Sequence, residues 1–226
     1  MAGNGVPRPT GGSGELWLVV LPVKGIDAKS RLDPPAGVSL EALALAFALD
    51  TASAAVAVAG PGRVYAVTPA APAAAALAEL GCVVVADPRR GLNAAVAAGL
   101  ERAAAGSEPR AGLAVLLGDL PALQPAHLAA ALAAATGLPR AVVPDAAGSG
   151  SVLITGSGAH RPRPRFGPGS AERHRRAGHS RLDLELPGLR TDVDDLESLR
   201  RAVALGVGRY TRAELDSGHA AGRSLA

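Results

Sequence analysis

Short apolar runs punctuate this chain, and longer stretches with helical spacing lie between them. Trp17-Leu18-Val19-Val20-Leu21-Pro22-Val23 is continuous rather than alternating, which predicts a strand buried on both faces. Arg63–Thr68, Cys82–Ala86, Leu113–Leu117 and Ala141–Pro144 predict further strands, and Val152–Thr155 another after a glycine-rich turn. Ser39 is placed to cap a helix reaching about Val58. Helices are also predicted over Ala71–Leu80, Ala94–Ala104, Pro125–Thr136 and Asp195–Leu205, with a further helical run opening at Ser170. Strand and helix alternate over residues 16–144, which predicts one α/β domain with a Rossmann-like, mostly parallel mixed sheet. Residues 148–192 are less regular and are expected to form a lid or an antiparallel extension over the carboxyl edge of the sheet. The domain is expected to span residues 15–210, with an extension over 1–14 and a surface tail over 211–226, frayed from Asp216.

Composition narrows the class. With 226 residues, 48% of them hydrophobic and 19% charged, the chain is globular rather than disordered. Aromatics are only 2%, so the core must be built from Ala, Val and Leu. The net charge of +3 suits a phosphate ligand but is too weak to imply nucleic acid. The single cysteine, Cys82, sits in a buried-strand pattern and reads as a structural thiol, so no disulfide framework exists within one chain. No apolar run reaches membrane-spanning length without Gly, Pro or charge, and Met1–Gly14 lacks the apolar core of a signal peptide. A cytoplasmic protein without membrane or nucleic-acid partners is expected.

Candidate chemistry gathers where strands end, because open α/β sheets bind ligands at the carboxyl ends of their strands. Lys24, Lys29 and Arg31 follow the first strand and could hold polyphosphate, or form a solvated basic loop. Asp119 follows the clearest central strand in Gly118-Asp119-Leu120-Pro121, a favourable place for a metal-binding carboxylate, although a lone Asp is also a turn former. Asp192 and Asp194 alternate by two, so an extended backbone would turn both to one side; alternatively Thr191, Asp192 or Asp194 caps the next helix. Asn93, after Gly91-Leu92, either caps a helix or presents its amide to a base edge. Asp145–Ser151 is either a plain hairpin turn or a ligand approach with Ser151 as donor. Phe166-Gly167-Pro168-Gly169-Ser170 forces an irregular turn at a helix start, an anion site or an ordinary cap, with arginines on both sides. If Asp119, Asp192 and Asp194 converge, they form an oxygen-rich site suited to Mg²⁺. The chain has no Walker A loop, no G-x-G-x-x-G and no nucleophile elbow, which removes P-loop kinases, dinucleotide dehydrogenases and serine hydrolases. Nucleotidyl transfer needs no protein nucleophile and fits what is present.

Read together, Pro22-Val23-Lys24, Ala28-Lys29-Ser30-Arg31-Leu32, Leu92-Asn93, Gly118-Asp119-Leu120-Pro121, Pro144-Asp145, Gly148-Ser149-Gly150, Phe166-Gly167-Pro168-Gly169-Ser170, His174 and Asp192-Val193-Asp194 resemble one family. It is the phosphoenolpyruvate or 2-phospho-L-lactate guanylyltransferases of coenzyme F-420 biosynthesis, and the match runs in order from about Leu16 to Leu205. The resemblance implies a nucleotidyltransferase fold of the glycosyltransferase-A-like kind. It also implies GTP and Mg²⁺ as the means of capping the acceptor phosphate, with release of pyrophosphate. The implied metal ligands are Asp119, Asp192 and Asp194, and the implied acceptor-binding residues Ser151, Gly167 and Ser170. Lys24, Lys29 and Arg31 would lie against the GTP phosphates, as catalytic residues beside Asp119, with Leu92 and Asn93 near the nucleotide base. Position 151 is Ser where the family is expected to carry Thr, which keeps the hydroxyl. Bacterial relatives lean towards phosphoenolpyruvate, and a downstream transferase that uses the product is an implied partner.

Two other readings compete. Molybdenum-cofactor guanylyltransferases and sugar-phosphate nucleotidyltransferases share the fold but usually carry a glycine-rich opening loop, where this chain has Pro22-Val23-Lys24. A non-catalytic nucleic-acid module gripping through His160–Arg181 would lack interleaved aromatics for base stacking, Phe166 aside.

Overall fold

The apolar run at the start of the domain forms β1 (Trp17–Pro22), every residue of which is buried. The computed structural model describes residues 16–23, 32–35, 37–106 and 111–224, with the side chains of the last helix through residue 218. After β1 come α1 (Leu40–Ala59), β2 (Val64–Thr68), α2 (Ala71–Glu79), β3 (Val83–Ala86), α3 (Leu92–Ala105), β4 (Gly112–Leu116) and α4 (Pro125–Ala135). The less regular part comprises β5 (Arg140–Pro144), β6 (Ser151–Gly156), α5 (Ser170–Arg176), β7 (Ser180–Arg181), α6 (Pro187–Arg190), α7 (Leu196–Leu205) and α8 (Arg209–Ser224).

The strands form one seven-stranded mixed sheet in the order β3-β2-β1-β4-β6-β5-β7. β1, β2, β3 and β4 run parallel, while β6 is antiparallel to both neighbours. The expected α/β architecture is therefore present, and the antiparallel element is inserted inside the sheet rather than laid over its edge. Its start, Ser151, consequently lies at the carboxyl end of β4, where Leu117 N–H donates to the Val152 carbonyl at 3.0 Å. A register irregularity at Val143/Pro144 leaves Pro144 opposite Ser151 at that same edge.

Alternate residues of the strands face different helix layers, as the two-residue period of a strand requires. Val19 and Leu21 of β1 and Ala114 and Leu116 of β4 pack with α1, α2 and α4. Leu18, Val20, Leu113 and Val115 pack with α3 and Phe166 on the other face. The layers are built from Ala, Val and Leu, as the scarcity of aromatics demands. α1 is long and apolar enough to cross a membrane, yet most of it is buried inside the domain, with Ala52 and Ala55 at 0% exposure.

Two elements differ from expectation. β3 is the edge strand of the sheet and alternates between half-buried and exposed, so it is not a strand buried on both faces. Cys82 precedes it and is itself buried, and burial pushes its thiol up to about 11, consistent with a structural rather than a reactive role. The segment after Leu205 is more than the expected surface tail. It forms α8 on α1, where the buried carboxylate of Asp50 accepts from the backbone N–H groups of Tyr210 and Thr211 at 3.0 and 2.9 Å. These are first-turn amides of α8 that have no partner within their own helix, so Asp50 supplies both hydrogen bonds and favourable charge–dipole contact.

Candidate active site

The chain runs from β1 to β2 to β3 in one direction and then crosses back to place β4 on the other side of β1. This reversal of strand order opens a crevice at the carboxyl ends of β1 and β4, the favoured binding position in such sheets. Asp119 stands just beyond β4 at that crevice. Val23, just beyond β1, lines a small cavity with it. Lys24, Lys29 and Arg31 lie outside the described residues.

The loop carrying Asp119 is held from three sides. Thr51 Oγ1 of α1 accepts from Leu120 N–H at 3.1 Å, the Asp119 carbonyl accepts from Val193 N–H at 3.0 Å, and the Pro121 carbonyl accepts from Gly208 N–H at 2.9 Å. Gly118 permits the close approach of the two strand tips, because a Cβ there would lie 2.9 Å from the Pro22 carbonyl oxygen.

The contact with Val193 carries the second acidic segment to Asp119. Val193 is fully buried, so its neighbours Asp192 and Asp194 turn the other way, as the two-residue spacing predicts. Neither is used as a cap: Asp195 caps α7, accepting from Ser198 N–H at 2.8 Å in a reciprocal capping box. Asp192 is half-buried, and its carboxyl is pushed up to about 7, first by burial and then by the charges of Asp119, Asp194 and Asp145. Asp119 and Asp194 are thus close enough to Asp192 to oppose its ionisation. Among the described residues, however, no group of three or more His, Cys, Asp or Glu side chains is arranged to hold a metal ion by itself.

Asp145 joins the acidic cluster to the turn that precedes Ser151. Its carboxylate accepts from Ser149 N–H at 3.0 Å and Gly150 N–H at 2.8 Å, closing the turn between β5 and β6. The turn is thus a hairpin that also sets Ser151 at the site edge. The signal for Asp145 was available, because it follows β5 as Asp119 follows β4.

Ser151, Ser170 and the Phe166–Gly169 turn come together. Ser170 Oγ lies 3.2 Å from Ser151 Oγ, and both side chains are buried. The turn is anchored by Asn93, whose amide donates to the Phe166 carbonyl at 3.1 Å and accepts from Phe166 N–H at 3.0 Å. Asn93 is therefore not the cap of α3, which is Gly91, and most of its amide is committed to Phe166. Leu92 packs half-buried against the core beneath α3. Gly167 has φ +123°, a backbone conformation that side chains rarely adopt, and the Arg173 guanidinium lies 2.8 Å from where a Cβ would project. Arg173 thus stands beside the turn as a cation that the sequence distinguished only as one of several flanking arginines. Arg175 and Arg176 instead pair with exposed Glu172 on their own helix, and hydrogen bonding to Arg175 above all holds that carboxyl down to about 2.

The anticipated helix-dipole site is not formed in that way. α5 has only seven residues, and its first-turn amide at Ala171 donates to the Ser149 carbonyl at 3.1 Å. The turn therefore offers hydroxyls and a neighbouring guanidinium more than a helix end.

The MobA-like NTP transferase domain family matches residues 44–181 of this chain. A nucleotidyl transferase from Methanothermobacter superposes with a TM-score of 0.52 at 17% identity, covering 85% of this chain and 98% of that one, which shows a shared fold. The phosphoenolpyruvate guanylyltransferase of Streptomyces coelicolor is 48% identical over 201 residues, covering 87% of this chain and 94% of its own. That of Thermomonospora curvata is 47% identical over 204 residues, covering 87% of each chain. The chain therefore belongs to the phosphoenolpyruvate guanylyltransferase family of nucleotidyltransferases.

Proposed function

We propose that this protein transfers GMP from GTP to the phosphate of phosphoenolpyruvate, giving enolpyruvyl-diphospho-5'-guanosine and pyrophosphate as a step of coenzyme F-420 biosynthesis in the cytoplasm. The observation that carries the proposal is the pairing, at one sheet edge, of an acidic cluster at the strand-order reversal with a buried hydroxyl pair and a turn at Gly167 flanked by Arg173. The names of the relatives add the nucleotide and the acceptor.

An ionised oxygen of the acceptor phosphate attacks the α-phosphorus of GTP in line. The bond from that phosphorus to the bridging oxygen breaks, and pyrophosphate leaves with the electron pair. No general base is required, because the phosphate is already ionised at neutral pH. Ser151, Ser170 and the Gly167 backbone hold the acceptor, and Asn93 keeps their turn in place. Lys24, Lys29 and Arg31 are assigned to the GTP phosphates, and Leu92 with Asn93 to the wall of the nucleotide site.

Asp119, Asp192 and Asp194 would hold Mg²⁺. Their fit rests on two features, all-oxygen donors and a half-buried Asp192 whose ionisation is opposed by its neighbours until a cation arrives. Among the described residues no three such side chains gather to enclose an ion by themselves, so phosphate oxygens of the substrates would share in holding it. When bound, the ion would neutralise charge developing on the transferring phosphoryl group. Asp119→Asn should lower pyrophosphate release at least about a hundredfold with the fold intact by circular dichroism. Full activity in that variant would remove the metal assignment.

A further inference from the structure

His174 is fully buried on α5, and its two ring nitrogens face different kinds of partner. Nε2 lies 2.8 Å from the backbone N–H of Arg165, which can only donate, so Nε2 must carry a lone pair. A neutral imidazole has one N–H, and it is therefore on Nδ1. Nδ1 lies 2.9 Å from Ser151 Oγ, so the ring donates and the Ser151 hydroxyl accepts.

That assignment has a directional consequence. The N–H of His174 is shared between the Ser151 hydroxyl and the Ser170 carbonyl, and one hydroxyl hydrogen is spent on the contact between Ser151 and Ser170. The remaining hydroxyl hydrogen points out of the chain of hydrogen bonds, whichever serine carries it. With the opposite tautomer Ser151 would donate inward, Ser170 would donate to Ser151, and the outward end would offer only lone pairs. The first arrangement receives an anion and the second repels it.

The surroundings hold the His174 ring in place. His179 Nδ1 lies 3.0 Å from the His174 carbonyl, which only accepts, and His179 Nε2 receives the Arg163 N–H at 3.4 Å. The two rings thus take alternate backbone amides of the extended segment that leads into Phe166, and they meet edge to face with centroids 5.3 Å apart. Phe166 closes the other side of His174 at 5.0 Å.

We propose that His174 is a positioning residue that sets the direction of the Ser151–Ser170 hydroxyl pair and makes it a hydrogen-bond donor to an anionic oxygen, phosphate or carboxylate, of the acceptor. The proposal rests on the reading of Ser151 and Ser170 as acceptor-binding groups. It adds a residue that touches no substrate yet decides whether those groups can bind one.

The two amide replacements separate this role from simple packing. His174→Asn keeps a donor near the Nδ1 position and loses the contact with Arg165. His174→Gln keeps an acceptor near the Nε2 position and loses the donor to Ser151. The expected result is an acceptor KM raised about tenfold or more in His174→Gln, with GTP KM unchanged, and an acceptor KM within about threefold of the parent in His174→Asn. Equal KM changes that track melting temperature would overturn the proposal. Nitrogen-15 NMR of the full protein should show the His174 proton on Nδ1, and a proton on Nε2 would overturn it directly. Ser151→Ala tests the underlying reading separately. If it leaves acceptor KM unchanged, the acceptor-site assignment and the proposal built on it fail together. If it raises acceptor KM while His174→Gln does not, only the proposal fails. In the Ser151→Ala background, His174→Gln should produce no further rise in acceptor KM, and an additive rise would contradict the relay.

Discussion

Two buried histidines, His174 and His179, stand beside Ser151 and Phe166, and burial opposes the charging of both. Burial lowers His174 to about 4, helped by His179, Arg173 and Arg165 and opposed by a hydrogen bond to the Ser170 carbonyl. Burial likewise lowers His179 to about 4, against a hydrogen bond to the His174 carbonyl and with Arg140, Arg163 and Arg165 adding repulsion. The charged groups named around these rings are cations from β5, from the extended segment and from α5, so a protonated ring finds no compensation there. In the unfolded chain each ring regains an ordinary value near 6.5. Between about 4 and 6.5 the unfolded state therefore binds more protons, and stability is full above 6.5 and falls as pH drops through the window. The melting temperature should decline from pH 7 to pH 4, and less steeply in His179→Gln; parallel declines would show that His179 does not contribute to the linkage. Little of this was legible beforehand. The sequence marks His174 and Ser151 as members of motifs 23 positions apart, but nothing local says that one ring serves the other.

At the scale of elements, the Phe166–Gly169 turn is clamped to α3. Asn93 reaches the backbone of Phe166 across 73 positions of sequence and satisfies both its N–H and its carbonyl. Asn93→Ala leaves two partly buried backbone groups without that partner, at a cost of about 1–3 kcal/mol. The melting temperature should fall by several degrees and acceptor KM should rise. A stable variant with unchanged acceptor KM would show that the turn holds itself. Strands were legible in the sequence because continuous apolar runs have few other uses, and the caps Ser39 and Asp195 lay at helix boundaries predicted from periodicity. Asn93 misled because an Asn beside a helix start is usually a cap. Its actual partner is set by tertiary packing, which leaves no local trace. The acidic pair was readable for the opposite reason, since a two-residue period survives in any extended segment.

Across the whole molecule, the reversal of strand order between β1 and β4 chooses the site, and the C-terminal segment supports it. Gly208 N–H holds Pro121, Thr51 holds Leu120, and Asp50, next to Thr51, caps α8. The Asp119 loop is therefore braced by α1 and by the start of α8 together. Asp50→Ala should loosen α8 and that brace, lowering the melting temperature by about 5 °C and reducing kcat. A large loss of stability with kcat untouched would separate the helix from the site. Alternation of strands and helices made the parallel half of the sheet legible. The docking of α8 was not, because its outward residues are charged and its anchor is a buried Asp on a helix far earlier in the chain.

The most direct measurement is pyrophosphate release by the full chain with Mg²⁺, crossing the four nucleoside triphosphates with phosphoenolpyruvate and 2-phospho-L-lactate. The proposed function requires release that needs both GTP and an acceptor and is fastest with phosphoenolpyruvate. Release without an acceptor, or a preference for a base other than guanine, would contradict it.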